Sequence, residues 1–309
     1  MVWRKQGFVF APDGSIPWMR THAQVPTAFI VDDVVRVLIA TRDDRGRARV
    51  GVVDLSRRDP TQVVRVHDTP ALDFGAPGTF DEDGVMPSEV IEVDGELWMY
   101  YSGWNQKVST PYHNATGLAV SVDGGRTFRR KYEGPVLERT AEEPHLAVTP
   151  TVVRDGGGFL CWYISGLRWI DVNGHREPVY AIKHAFSDDG VHWTRPAELC
   201  IEQRHENEAF SRPCVRKSAT GWEMWYCFRD SHNFRDGSGS YSLGYATSAD
   251  GQSWTRRDDD VGINVSESGW DSTMICYPFV FDVGEDRFMV HNGNGFGRSG
   301  FGICKMEPK

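Results

Sequence analysis

The chain has 309 residues, 40% of them hydrophobic and 12% aromatic, and a formal net charge of −9, which argues against a nucleic-acid partner. It holds no run of 18 apolar residues and no charged-then-apolar leader, so a cytoplasmic protein without a membrane partner is expected. Cys161, Cys200, Cys214, Cys227, Cys276 and Cys304 lack CxxC spacing, and several fall inside apolar strands, so they read as buried reduced thiols rather than disulfides or a zinc site.

From the N-terminus, MVWRKQGFVF reads as a strand that precedes a repeat. Each repeat opens on an X-Pro pair followed by apolar residues: Val25-Pro26, Met86-Pro87, Thr149-Pro150, Arg212-Pro213 and Tyr277-Pro278, with steps of 61, 63, 63 and 65 residues between the prolines. A second apolar strand follows each time (RVLIATRD, ELWMYYSGW, GFLCWYISGL, GWEMWYCFRD, DRFMVHNGNG), then a third (ARVGVVDLS, TGLAVSVDGG, YAIKHAFSDDG, YSLGYATSADG, GFGICKME). Three copies continue through SVDGGRTF, SDDGVHW or SADGQSW, tight turns whose Gly residues tolerate positive φ, into a fourth strand.

Four strands per unit is the pattern of a propeller blade. The expected fold is therefore an all-β, five-bladed β-propeller, a single domain over 1–309 with blades near 20–72, 80–138, 145–203, 208–265 and 270–309 plus 1–12. The fifth unit stops after its third strand, and MVWRKQGFVF resembles the fourth-strand segments FRRKYEGPVL and WTRRDDDVGI. The N-terminal strand is thus expected to complete the last blade and cover its edge. Proline is tolerated at the first residue of a strand, so the five prolines are expected at strand heads on the inner rim.

Antiparallel pairing brings the start of strand 1 and the end of strand 2 to one face, where residues from all blades would surround a funnel. The starts supply His22 and Gln24; Asp81, Glu82 and Asp83; Glu142, Glu143 and His145; Glu206, Glu208 and Arg212; and Asp271 with Tyr277. The ends supply Arg42 and Asp43; Trp104 and Asn105; Arg168 and Trp169; Arg229, Asp230 and His232; and Asn292 with Asn294. Arg42, Arg168 and Arg229 occupy comparable places in three blades, with Arg212 nearby, and converging guanidinium groups suit a carboxylate or phosphate. Each could instead pair with a neighbouring acid such as Asp43 or Asp230. Trp104 and Trp169 could stack on a sugar ring or serve as ordinary rim hydrophobes.

The period, the leading prolines and the SxDG turns resemble the five-bladed propeller glycosidases, the group of arabinanases, β-xylosidases, invertases and mannoside phosphorylases. The stretch FDEDGVMPSEV…GELWMYYSGW also resembles bacterial glycosidase-like proteins of surface-polysaccharide metabolism, and the likeness covers essentially the whole chain. The resemblance implies acids immediately before the leading proline in two blades and a Glu two places before it in another, but Val25, Thr149 and Ser211 stand there. Glycoside cleavage uses two carboxyls about 5 Å or roughly 6.5–9.5 Å apart. Other groups must then serve: Glu208 as general acid and Asp83 as base or nucleophile, assisted by His22 and Glu143. His22, Asp83, His145 and Glu208 could also gather a divalent metal, and no other cofactor is expected.

The expected function is cleavage or transfer of a glycosidic bond in a phosphorylated, nucleotide-linked or carboxylated sugar. Arg42, Arg168, Arg212, Arg229, Trp104, Asn105, Trp169, His145, His232, Asp271, Tyr277 and Asn292 would form the binding set. The alternatives are a propeller that binds a glycan or nucleotide sugar without turnover, and lyase or isomerase chemistry on the histidines. DFG at 73–75 and NGNGFGRSGFG at 292–302 lack the surrounding elements of nucleotide sites and read as turns.

Overall fold

Each X-Pro segment forms the leading strand of an antiparallel meander in the computed structural model, which describes residues 1–235 and 237–307. After the N-terminal β1 (Trp3–Phe10), the first meander runs β2 (Thr21–Val31), β3 (Val34–Arg42), β4 (Ala48–Ser56) and β5 (Val63–Val66). The second runs β6 (Gly84–Val93), β7 (Glu96–Gln106), β8 (Tyr112–Ser121) and β9 (Arg129–Arg130), and one parallel pair, Ala48 with Gly84, links it to the first. The third is β10 (Ala147–Asp155), β11 (Gly158–Val172) and β12 (His175–Ser187); the fourth is β13 (Glu208–Ser218), β14 (Gly221–Asp230), β15 (Ser242–Ser248) and β16 (Thr255–Arg256). Finally β17 (Cys276–Val283), β18 (Asp286–Asn292) and β19 (Phe301–Met306) are joined by β1, which pairs with β19 from Trp3–Met306 to Phe10–Phe301.

The fold is all-β; among the described residues the helical content is one 3-10 turn at Asp258–Asp260, and no helix is long and apolar enough to cross a membrane. The expectation of four strands per unit fails for the third meander. There the outer segment meets β12 only through isolated bridges, Phe186 with Thr194 and Lys183 with Leu199.

Both faces of the meanders are covered, which is why their strands read as nearly continuous apolar runs. Leu38, Val50 and Val52 of the first pack against Met99 and Tyr101 of the second; Trp98 and Leu118 of the second pack against Val152 and Cys161 of the third. Trp162 and Ile182 meet Phe210 and Met224, and a larger cluster joins Val37 and Ile39 to Trp225, Phe279 and Ile303. All six cysteines are buried and unpaired. The SxDG turns are also structural: Ser121 Oγ accepts from Gly125 N, Asp123 takes the amides of Arg126 and Thr127, and the turns at 187–192 and 248–253 repeat the pattern. Tyr100 and Trp162 donate to Gly190 and Gly251 carbonyls of the next unit's turn.

The leading strands touch in the order β2, β6, β10, β13, β17, and β17 returns to β2. Their prolines do not stand at strand heads as the sequence suggested. Pro26 and Pro213 are the sixth residues of β2 and β13, and every leading proline lies at a shift in register with the second strand. A bulge is where a missing N–H costs no ladder bond. The residue before the proline takes positive φ in four of the five: Val25 (49°), Thr149 (47°), Arg212 (50°) and Tyr277 (54°). The bulge turns these side chains off the alternating pleat.

Candidate functional site

Where the leading strands converge, a cavity of about 370 Å³ opens between them. Its wall takes Gln24 and Val25 from β2, Arg42 from β3, Met86 from β6, Thr149 from β10, Ser211 from β13 and Tyr277 from β17. Trp104, Tyr112, Asn114, Tyr180 and Tyr241 enclose the sides, and Arg235 reaches in from the loop after β14. Among the described residues, no Asp, Glu or His lines it. The positions at which the resemblance implied carboxyls, Val25, Thr149 and Ser211, all face this space.

Arg42 is the cation that matters most here. Its Nη2 donates to Gln24 Oε1 at 3.3 Å, and its Nε is buried without a partner among the described residues. The neighbouring Asp43 is taken by Arg47 and Arg49 at 2.9 and 3.2 Å, so the alternative of local pairing does not hold for Arg42. Burial lowers the pKa of Arg42 from its ordinary value, the signature of a cation that lacks a counter-charge. Arg235, by contrast, is neutralised by Glu177, whose oxygens lie 2.5 and 3.1 Å from its nitrogens. Burial pushes the phenols of Tyr112 and Tyr277 well above their ordinary range and also raises that of Tyr241, so all three are protonated hydrogen-bond donors.

Of the expected site residues, Arg42, Trp104 and Tyr277 line the cavity. Asp83 and His22 sit beside lining residues at its rim. Asp83 is half-buried; its amide donates to Trp104 O, and its carboxylate accepts from Gln106 N at 2.8 Å. His22 contacts Thr21 Oγ1 at 2.9 Å, and burial, then Arg42 and Arg298, lower its pKa to about 4. Trp169 forms a layer behind Tyr112, with ring centroids 5.5 Å apart in an edge arrangement.

The other arginines are committed elsewhere. Arg212 is 1% exposed and lies one step further along the leading strands, donating to Pro87 O at 3.0 Å and Thr27 Oγ1 at 2.8 Å; it ties β13 to β6 and β2 instead of facing the cavity. Arg168 donates to the Glu206 carbonyl and fastens the β11–β12 hairpin to the loop before β13. Arg229 is buried behind the wall, with Nε on Tyr241 Oη at 3.1 Å, Nη2 on Pro178 O at 2.9 Å and its plane 3.6 Å from the Phe234 ring centroid. Asn292 is fully buried and holds the Val25 amide at 2.8 Å, while Asn105 is buried against Thr79 O. His145, next to the lining residue Leu146, is half-buried and not itself part of the wall, and His232 is exposed. Among the described residues no three His, Cys, Asp or Glu gather as a metal site.

The acids before the leading strands carry the largest correction. They turn away from the axis and brace the second and fourth strands of their own unit. Asp81 accepts from Tyr101 at 2.9 Å and from Arg130 at 2.6 and 2.8 Å. Glu143 accepts from Tyr163 at 2.9 Å and Ser165 at 2.7 Å, with Lys183 at 3.8 Å and Arg195 at 4.0 Å. Asp271 takes Lys5 of β1 at 2.6 Å. Glu208, 2% exposed, holds Arg256 bidentately at 2.7 and 2.8 Å, and Tyr226 bonds the adjacent Asp258 at 2.6 Å. Burial alone would raise the Glu208 carboxyl, but the Arg256 guanidinium and the Arg204 amide outweigh it and hold the pKa below the ordinary range. A carboxylate held in that form has no proton to donate as a general acid. In the first unit the corresponding places are apolar, Met19 and Ile39, both buried.

The residues that the sequence reading missed are Tyr112, Asn114, Tyr180, Tyr241 and Arg235. Tyr112, Asn114 and Tyr180 come from the first parts of third strands, which lie next to the second-strand ends and so reach the same face. Tyr241 directly precedes β15, at the head of the third-strand segment, and Arg235 comes from the loop between β14 and β15, for which the repeat carries no signal.

No protein-family model matches the chain. Two proteins of Mycobacterium tuberculosis, named only as the uncharacterized proteins MT1551 and Rv1502, are 37% and 36% identical to it over 309 residues, covering 99% of this chain and all of theirs. Among solved structures, one described as a glycoside hydrolase superposes with a TM-score of 0.76 at 16% identity, covering 99% of this chain and 92% of its own. A structure from work on GH130 mannoside phosphorylases and glycoside hydrolases that target β-1,2 mannosidic linkages gives a TM-score of 0.70 at 14% identity, covering 99% and 94%. A thermostable family-43 glycoside hydrolase gives 0.69 at 16%, covering 96% and 93%. The chain thus belongs to the family of the two mycobacterial proteins, and its fold is that of the glycosidase-like propellers.

Proposed function

We propose that the five meanders are the blades of one closed propeller and that its axial cavity binds a carbohydrate bearing an anionic group, on which the protein acts by cleaving or transferring a glycosidic bond. The cyclic contacts of the leading strands and the β1–β19 pairing support closure. The observation that carries the ligand assignment is Arg42, a part-buried guanidinium without a carboxylate partner among the described residues, set in a wall of Trp104 and protonated tyrosines. Aromatic faces suit a sugar ring, phenol hydroxyls suit its oxygens, and a charge-assisted bond from Arg42 would select an acidic substituent. Asp83, bonded to the backbone of Trp104 and Gln106, and His22, two residues before Gln24, are the candidates for proton transfer; His22, neutral at pH 7, can accept a proton.

A second reading, binding without turnover, draws on the lack of a carboxyl among the described residues of the cavity wall. One panel decides between them. Wild-type protein is titrated by calorimetry with anionic and neutral glycosides, and the same mixtures are analysed for products by chromatography. Arg42→Gln should weaken the anionic ligands about tenfold or more and leave neutral ones nearly unchanged. Equal losses for both would refute the anion assignment. Products that disappear in Asp83→Asn would establish turnover, whereas binding with no product from any glycoside would leave the second reading.

A further inference from the structure

The cavity is flanked by a second cation without a counter-charge, and together with Arg42 it narrows the anion. Arg229 is 3% exposed, forms no ion pair among the described residues, and leaves its Nη1 buried without a partner. A buried cation without a nearby anion is costly unless a ligand supplies the charge. Arg229 is separated from the cavity by Tyr241, a lining residue whose oxygen accepts the Arg229 Nε–H at 3.1 Å.

A guanidinium can only donate, so the Tyr241 oxygen acts there as an acceptor and its own hydrogen must point elsewhere. No protein acceptor takes that hydrogen among the bonds of the described residues, and the ring lies on the cavity wall. The phenol thereby carries the influence of Arg229 to the cavity as a polarised O–H donor. Its ring packs on Tyr277, with centroids 5.7 Å apart, and Tyr277 lines the same cavity as Arg42. Arg42, Tyr277 and Tyr241 therefore line one side of the cavity, with a second positive charge, Arg229, directly behind Tyr241. Arg235 adds nothing to that sum, because Glu177 cancels it.

We infer that this wall is a phosphate site: the anionic group of the ligand is a phosphate ester, held by Arg42 directly and by Tyr241 backed by Arg229, and a sugar carboxylate is the poorer ligand. The inference rests on the proposed anionic-sugar cavity. A phosphate ester carries about −1.5 to −2 at neutral pH and matches both cations, whereas a carboxylate leaves one uncompensated.

The test is a thermal-shift and calorimetric series on the full chain at pH 7.5 with inorganic phosphate and glucose 1-phosphate, against acetate and glucuronate. Phosphate stabilises many proteins by exclusion from their surface, so the readout is the difference between wild type and Arg42→Gln, in which such general stabilisation persists. The phosphate pair should raise Tm and bind at least about tenfold more tightly than the carboxylate pair in wild type, with the advantage lost in Arg42→Gln. Tyr241→Phe should remove most of the phosphate advantage while leaving glucuronate affinity within about twofold, and Arg229→Lys, which keeps the buried charge, should retain part of it. Carboxylates bound as tightly as phosphates through Arg42, or Tyr241→Phe without effect on phosphate, would overturn the inference and leave the anionic-sugar reading standing. Absence of Arg42-dependent binding for any of the four anions would overturn both.

Discussion

Replacing Glu208 with Gln separates a brace from a catalyst, because a brace predicts lost stability where an acid catalyst predicts lost turnover at unchanged stability. Glu208 is 2% exposed, and its two oxygens receive both terminal nitrogens of Arg256 and the Arg204 amide. Breaking a buried ion pair by removing one charge costs about 3–5 kcal/mol, since the partner remains buried without compensation. Arg256 keeps a second carboxylate, Asp258 at 2.7 Å, which places the loss near 3 kcal/mol at the low end of that range. For 309 residues unfolding together the entropy is roughly 0.65 kcal/mol/K, so the Tm should fall by about 5 °C. Calorimetric melting of wild type, Glu208→Gln and the double variant Glu208→Gln/Arg256→Met measures both the loss and the coupling between the pair. A Tm unchanged within about 1 °C for the single variant, together with abolished turnover, would refute the brace and return Glu208 to the chemistry.

Three further outcomes are expected. Thr149→Asp sets a carboxylate in the same cavity as Arg42, and should abolish preference for anionic glycosides in calorimetry with the circular dichroism spectrum intact; retained preference would mean that Arg42 does not act in that space. His291 is fully buried and its pKa is lowered by burial to about 4, so the unfolded chain, with an ordinary value near 6.5, takes up the proton first. Stability should therefore be full above about pH 6.5 and decline toward pH 4, by roughly 3 kcal/mol from this residue, and His291→Phe should flatten that part of the Tm–pH curve. Asn292→Ala removes the acceptor that holds the Val25 amide and two buried donors on Ala23 and Gly300 carbonyls; a loss of about 2–4 kcal/mol in urea unfolding is expected, and a loss under 1 kcal/mol would show that Val25 keeps its conformation unaided.

The repeat was legible because it is written by backbone demands. Prolines recur where a bulge has no ladder bond to lose, Gly recurs where φ is positive, and apolar runs recur because both faces of each meander are covered. The acids were misread for a physical reason: a carboxyl just before a leading strand can face the axis or turn back to its own second and fourth strands, and chain position does not distinguish these. Partners do. Tyr101 and Tyr163 each stand 20 residues after the acid that they bond, and Arg130 and Arg195 recur on the outer segments, a pattern present in the sequence but not used. The cavity tyrosines were missed because only first-strand starts and second-strand ends were placed on the funnel face, although the third strand begins beside the second strand's end.

The same bulges that set the repeat also shape the cavity, and they do so through the neighbouring unit. Positive φ at non-glycine residues costs on the order of 1–3 kcal/mol each, and the β-branched Val25 and Thr149 are among the least suited to it. Three of the four strained amides are held from the preceding meander's second strand: Val25 N by Asn292 at 2.8 Å, Thr149 N by Ser102 at 3.0 Å, and Tyr277 N by the Cys227 sulfur at 3.5 Å. Three cavity-facing side chains thus take their direction from contacts between units rather than from their own strands. An isolated meander would have no reason to keep that conformation, so the site exists only when the units meet. Uncharged residues at Val25, Thr149 and Ser211 then leave Arg42 as the cation that a ligand encounters, which is why the chemistry of this chain has to be sought in guanidinium and phenol groups before carboxyls.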